Sequence, residues 1–202
     1  MGRMVFTARH GHRQDNADTD WGKYAKWPDD PELSELGTRQ AEELAQRLRG
    51  VSIDHIFSSH FLRTLQTAYP ASEILGKRIK LETGFGEWMK QEWFQSEPDL
   101  MPLQYKMSLF PRVDRCYRPF LRAAIPETRD DLERRIVATV RHVLDTAGGD
   151  ILIFGHGGTV EGVHFALTNE RPAPNSELCC LNRYVECGGG WKLAASWAAS
   201  PA

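Results

Sequence analysis

The stretch "DILIFGHGG", residues 150–158, narrows the choice of fold more than any other part of the chain. Four successive apolar residues, Ile151 to Phe154, show no alternation with polar ones, as in a strand covered by helices on both faces of a parallel sheet. The glycine turn that ends the run leads into "TVEGVHFAL", the start of a helix. The same unit recurs upstream. The apolar run Met4 to Ala8 enters the polar loop "RHGHRQDN". A helix, "SELGTRQAEELAQRLRG", follows, with Ser34 as its N-cap, Ala41, Leu44, Ala45 and Leu48 on one face, and Gly50 to stop it. "DHIFSS" precedes "RTLQTAYPASEIL", a helix that Pro70 is expected to kink or break in two. "RIKLE" is a third strand. A long helix is predicted from Glu127 to Ala147, ended by Gly148 and Gly149. Strands alternating with helices at this spacing predict an α/β fold, a three-layer α/β/α sandwich with a mostly parallel central sheet.

The tail departs from that pattern. "LCCLNRYVEC", "GGG" and "WKLAASW" alternate around a glycine turn and predict a C-terminal antiparallel hairpin, with Cys179 and Cys180 on opposite faces of its first strand. A length of 202 residues suits one substantial core, so residues 1–202 are expected to form a single domain. An insertion or lid is expected at about 85–122, where the pattern becomes irregular. Trp88, Trp93, Phe94, Tyr105, Phe110, Tyr117 and Phe120 there interleave with Arg112, Arg115, Arg118 and Arg122. The short "AASWAASPA" end is biased in composition.

Composition bears on partners. With 26% charged residues and a formal net charge of -2, the chain has no general attraction for nucleic acid or membrane. It lacks a signal-like leader and any apolar run of about 18 residues, so a cytoplasmic setting is expected. The 4 cysteines have no CxxC spacing and read as reduced thiols. Homodimerisation stays open.

Ligands of a parallel sheet bind beyond the carboxyl ends of its strands. Arg9, His10 and Arg13 follow the first predicted strand; Ser58, Ser59 and Arg63 the second; Glu87 the third; His156, Gly157 and Gly158 the fourth. Arginine forks and the free N–H groups of a helix start suit a tetrahedral oxyanion. A neutral imidazole can attack phosphorus, and a carboxylic acid can protonate a leaving oxygen. His10-Gly11-His12 also has the spacing of a metal-binding pair, but three arginines at the same edge would repel a dication. His12 is expected to face solvent.

At these residues the sequence resembles the histidine phosphatase superfamily, or phosphoglycerate mutase-like fold. Arg9-His10-Gly11 is similar to its Arg-His-Gly signature, and "SSHFLRTLQTA" to the stretch supplying a further arginine. "GFGEW" resembles the segment that carries the acid, and "FGHGGTV" the one with the second histidine. The resemblance implies that His10 becomes a phosphohistidine, that Arg9, Arg63 and His156 stabilise the transferring group, and that Glu87, with Glu82 and Glu92 nearby, donates the proton. Arg13 resembles the extra phosphate-binding arginine of the branch related to the ubiquitin-associated, SH3-containing tyrosine and steroid phosphatases. Ser59 and Gly157 join the expected phosphate and substrate contacts. His12 stands where the common signature has Glu, which argues against a mutase. The implied function is a metal-independent phosphoric monoester hydrolase without cofactor. Its substrate would be a phosphorylated small molecule or phosphoprotein, aromatic or otherwise bulky. The alternatives are a phosphoglycerate mutase-type phosphotransferase and a non-catalytic phosphate-binding module.

Overall fold

The computed structural model describes residues 2–173 and 175–199. Six strands form one sheet: β1 (Met4–Arg9), β2 (His55–Ser58), β3 (Ile79–Leu81), β4 (Ile151–Gly155), β5 (Leu181–Cys187) and β6 (Gly190–Trp197), in the order β3-β2-β4-β1-β5-β6. The first four run parallel, whereas β5 pairs antiparallel with β1 and with β6. The C-terminal hairpin thus extends the parallel sheet on the β1 side. Two single turns, α1 (Gln14–Ala17) and α2 (Trp21–Tyr24), lie in the loop after β1.

Alternate residues of the central strands feed two cores. Phe6, Ala8, Ile56, Leu152 and Phe154 pack with Leu44 and Leu48 beside α3 (Glu35–Arg47) and with Leu65 and Ala68 of α4 (Leu62–Leu75). Val5, Phe57, Ile151 and Ile153 pack on the other face. Their partners are Leu132, Ile136 and Val140 of α6 (Arg129–Thr146) and Val163 of α7 (Gly157–Thr168). Helices cover both faces, so the uninterrupted apolar runs have the physical origin inferred from them.

Several local expectations are corrected. Pro70 does not break α4, which is one element from Leu62 to Leu75; burial of Leu65, Ala68, Ala71 and Ser72 holds both halves against the sheet. The long helix starts at Arg129, because Thr128 accepts from the Asp131 amide and Asp131 bonds back in a capping box. Cys179 and Cys180 lie in a turn before β5, with Cys179 at φ 52°, so they are not strand residues. The last residues of "AASWAASPA", 200–202, lie outside the described residues.

Residues 85–122 are mostly irregular, with α5 (Leu103–Leu109) as their helix. Two buried contacts tie this segment down. Lys106 pairs with Asp30 at 2.6 Å and donates to the His60 carbonyl. Glu82, fully buried after β3, accepts from Tyr117 Oη at 2.5 Å and from the Phe120 amide at 2.9 Å. Among the described residues, no helix is long and apolar enough to cross a membrane.

Candidate active site

A cavity of about 670 Å³ opens at the carboxyl ends of the parallel strands and is lined by Arg9, Arg13, Arg63, Glu87 and Gly157 among others. His10 and His156 lie beneath it, each 1% exposed, with ring centroids 5.3 Å apart. Four distant segments therefore meet where the sequence placed them. Arg9 ends β1, Arg63 stands in the first turn of α4, and Glu87 lies in the loop after β3. His156 joins β4 to α7 and acts as the helix N-cap.

His10 Nδ1 lies 2.8 Å from the Gly11 carbonyl, an acceptor, so this nitrogen carries the proton and Nε2 keeps its lone pair. Burial lowers the pKa of His10 well below the ordinary histidine value, and Arg63 lowers it further. At neutral pH the ring is uncharged. Burial likewise pushes His156 down, to about 4, against the pull of Glu87. In its neutral form His156 donates from Nδ1 to Glu87 Oε2 at 3.1 Å and accepts at Nε2 from Ser59 Oγ at 2.9 Å. Burial would raise the Glu87 pKa, but the hydrogen bond from His156 and the charge of Arg63 hold the carboxyl well below its usual value. Arg63 donates to Glu87 Oε2 at 3.1 Å, while its Nε is buried without a partner. Arg9 donates to the Ser176 carbonyl at 2.8 Å, and its Nε too is buried and unpaired. Unpaired guanidinium N–H groups around an open cavity are donors awaiting an acceptor.

The remaining candidates divide. Arg13 lines the cavity while donating to both carboxylate oxygens of Asp15. Ser59 lies behind His156 on the far ring nitrogen, where it fixes the ring rather than lining the cavity. Of the three carboxylates near the predicted acid, Glu82 is spoken for by Tyr117 and Phe120, and the Glu92 side chain is 72% exposed beside Lys90. Only Glu87 of these meets both His156 and Arg63. His12 does not face solvent freely; its Nδ1 lies 2.9 Å from Ser34 Oγ, the cap of α3. Trp88, Trp93 and Phe94 line the cavity wall, whereas Arg112, Arg115, Arg118 and Arg122 do not.

Two residues escaped the sequence reading. Arg135 and Glu127, 6% and 4% exposed, form a two-pronged ion pair at 2.7 Å beneath the loop that carries Glu87. Their signal was an arginine on the apolar stripe Leu132, Ile136, Val140 and Val143 of α6, where a charge needs a buried partner. His10, Glu87 and His156 also present donor atoms within 4.8 Å of one another, a spacing that a metal ion can use. Arg63 sits against two of the three and opposes a cation there.

Fold and site together define an α/β sandwich with a histidine–arginine–carboxylate centre at its strand ends. The profile of the histidine phosphatase superfamily (branch 1) matches residues 5–197, and the chain belongs to that family. It is 30% identical to human ubiquitin-associated and SH3 domain-containing protein A over 91% of its own length and 34% of that protein's. The chain thus spans about a third of that relative. It is 27% identical to a probable phosphoglycerate mutase of Yersinia enterocolitica, covering 96% of this chain and 89% of the other. The ecdysone phosphate phosphatase of the silkworm Bombyx mori, solved with tungstate, superposes with a TM-score of 0.78 at 24% identity, over 96% of this chain and 92% of that one.

Proposed function

We propose that this chain is a phosphomonoesterase that works through a phosphohistidine on His10, without a metal ion. The observation that carries the reading is a buried, neutral His10 with its Nε2 lone pair free, beside Arg9, Arg13 and Arg63 at one cavity. These arginines bind the phosphoryl oxygens, assisted by His156 and by the α7 N-terminus at Gly157. Nε2 attacks phosphorus in line and the ester P–O bond breaks, while Glu87, ionised in the free site, takes the proton that the phosphomonoester monoanion brings and passes it to the leaving oxygen. Water then attacks the phosphohistidine, Glu87 takes back a proton, and the P–N bond breaks to release phosphate. Most of the rate enhancement comes from positioning and charge stabilisation.

Residues 85–122 act as a lid whose aromatic wall favours a leaving group with a flat or apolar surface. The relative named for ecdysteroid phosphates, 29% identical to this chain, supports the same class. The test is rapid-quench trapping of an acid-labile, His10-dependent phosphoenzyme, with phosphate release measured in the presence of a chelator. Undiminished activity of His10→Ala, or activity abolished by the chelator, overturns the proposal. Phosphate exchange between two positions of a phosphoglycerate without release identifies a mutase instead.

A further inference from the structure

We infer that Arg135 and Glu127 form a clamp that positions Glu87 for proton donation, an inference that rests on the donor role just proposed. Arg135 reaches from α6 under the loop 84–89. Its Nη1 donates to the carbonyls of Gly84 at 2.8 Å and Gly86 at 3.1 Å, and its Nη2 to that of Glu87 itself at 3.1 Å. Nε and Nη2 also grip the two carboxylate oxygens of Glu127.

Glu127 holds the other half of the loop. Its amide donates to the Met89 carbonyl at 2.7 Å, its carboxylate accepts from the Met89 amide at 3.3 Å, and its carbonyl accepts from Trp88 Nε1 at 2.9 Å. Every hydrogen bond recorded for the Arg135 guanidinium ends on Glu127 or on this loop. Glu87 is thereby fixed at its own carbonyl and at the residues on either side.

This matters because Glu87 sits on a loop, and proton transfer tolerates little displacement. Its Oε2 must lie within hydrogen-bonding distance of a leaving oxygen while staying 3.1 Å from both Arg63 and His156. A buried ion pair contributes little net stability compared with apolar groups of the same volume, so folding alone does not account for it. Its geometric specificity does: a planar fork can satisfy several carbonyls of a tight loop and a carboxylate at once. Neither clamp residue touches the cavity, so both are positioning residues and not catalytic ones.

The experiment compares the wild-type enzyme, Glu87→Gln, Arg135→Lys and the double variant Arg135→Met/Glu127→Leu on two substrates. One is 4-nitrophenyl phosphate, whose leaving group departs without a proton; the other is a simple alkyl phosphate, whose leaving group does not. In kcat/KM, which reports the phosphorylation step and not the shared hydrolysis of the phosphohistidine, Glu87→Gln should lose about 100-fold or more on the alkyl ester and only a few-fold on the nitrophenyl ester. Both clamp variants should show the same split, with the inhibition constant of inorganic phosphate unchanged. Equal losses on the two esters, or loss of phosphate binding or of folding in the double variant, overturn the clamp. If Arg135→Lys alone fails to fold, the double variant decides. If Glu87→Gln treats the two esters alike, the donor role falls and the clamp with it; if only Glu87→Gln discriminates, the clamp alone falls.

Discussion

In the proposed reaction, neutral His10 can attack, but ionised Glu87 is one proton short of acting as donor. An acid role that needs Glu87 protonated predicts activity that peaks on the mildly acidic side, yet the contacts with His156 and Arg63 hold its carboxyl well below the usual value. That proton then arrives with the substrate. A phosphomonoester monoanion carries it, and loses it with a pKa of about 6. As pH rises above that value, kcat/KM should therefore fall about tenfold per pH unit, because the reactive monoanion is depleted while His10 stays neutral. Two aryl phosphates with different second pKa values should show descending limbs displaced by the same difference. A limb at one fixed pH for both would assign it to a side chain. Arg9, His10, Arg63, Glu87 and His156 were legible in sequence as candidates because each stands at or beyond the carboxyl end of a strand in an α/β unit. Arg135 and Glu127 were not, because charged residues around a helix start ordinarily read as solvated.

At the scale of elements, the β1 loop is locked against α3 by a close backbone approach. A Cβ on Gly37 would lie 2.1 Å from the His12 carbonyl oxygen, and one on Gly11 2.7 Å from the Gly37 carbonyl oxygen. Gly37→Ala is thus expected to cost about 1–3 kcal/mol of stability. It should also displace His10 and Arg9, which a raised inhibition constant for phosphate would report alongside a lowered Tm. An unchanged phosphate affinity would show that the loop absorbs the strain elsewhere. Within residues 85–122, Trp93 is the cleaner probe of the proposed substrate contact, being 56% exposed, whereas Trp88 is tied to the Glu127 carbonyl. Trp93→Ala should raise KM for an aryl phosphate about 3–10-fold, the value of one aromatic contact, and leave an alkyl phosphate unaffected. Equal changes would make Trp93 a packing residue. The aromatic content of residues 85–122 was readable from the chain, but not which rings face the cavity, since irregular backbone has no period to assign faces.

Across the whole molecule, buried imidazoles couple stability to pH. His156 titrates at about 4 and His60 at about 3 in the fold, while an unfolded chain takes up those protons near 6.5. Between these values the unfolded state binds more protons, so stability is lost as pH falls from 6.5 towards 4. His156 alone contributes about 2 kcal/mol of that loss by pH 5. Tm should drop steadily between pH 7 and pH 5, and less steeply in His60→Gln; a flat profile would contradict the burial of these rings. The strands themselves were legible because two-sided burial leaves unbroken apolar runs. Their order was not, because such runs do not encode which neighbour they pair with. That order has a consequence in time. β1 is synthesised before the other strands, yet both its neighbours, β4 and β5, come only after β2 and β3. At about 5–20 residues per second the ribosome needs roughly 7–30 s to reach β4 after β1 has appeared. Throughout that interval the strand that leads into His10 has unpaired edges, and the nascent chain is expected to need shielding from other exposed strands.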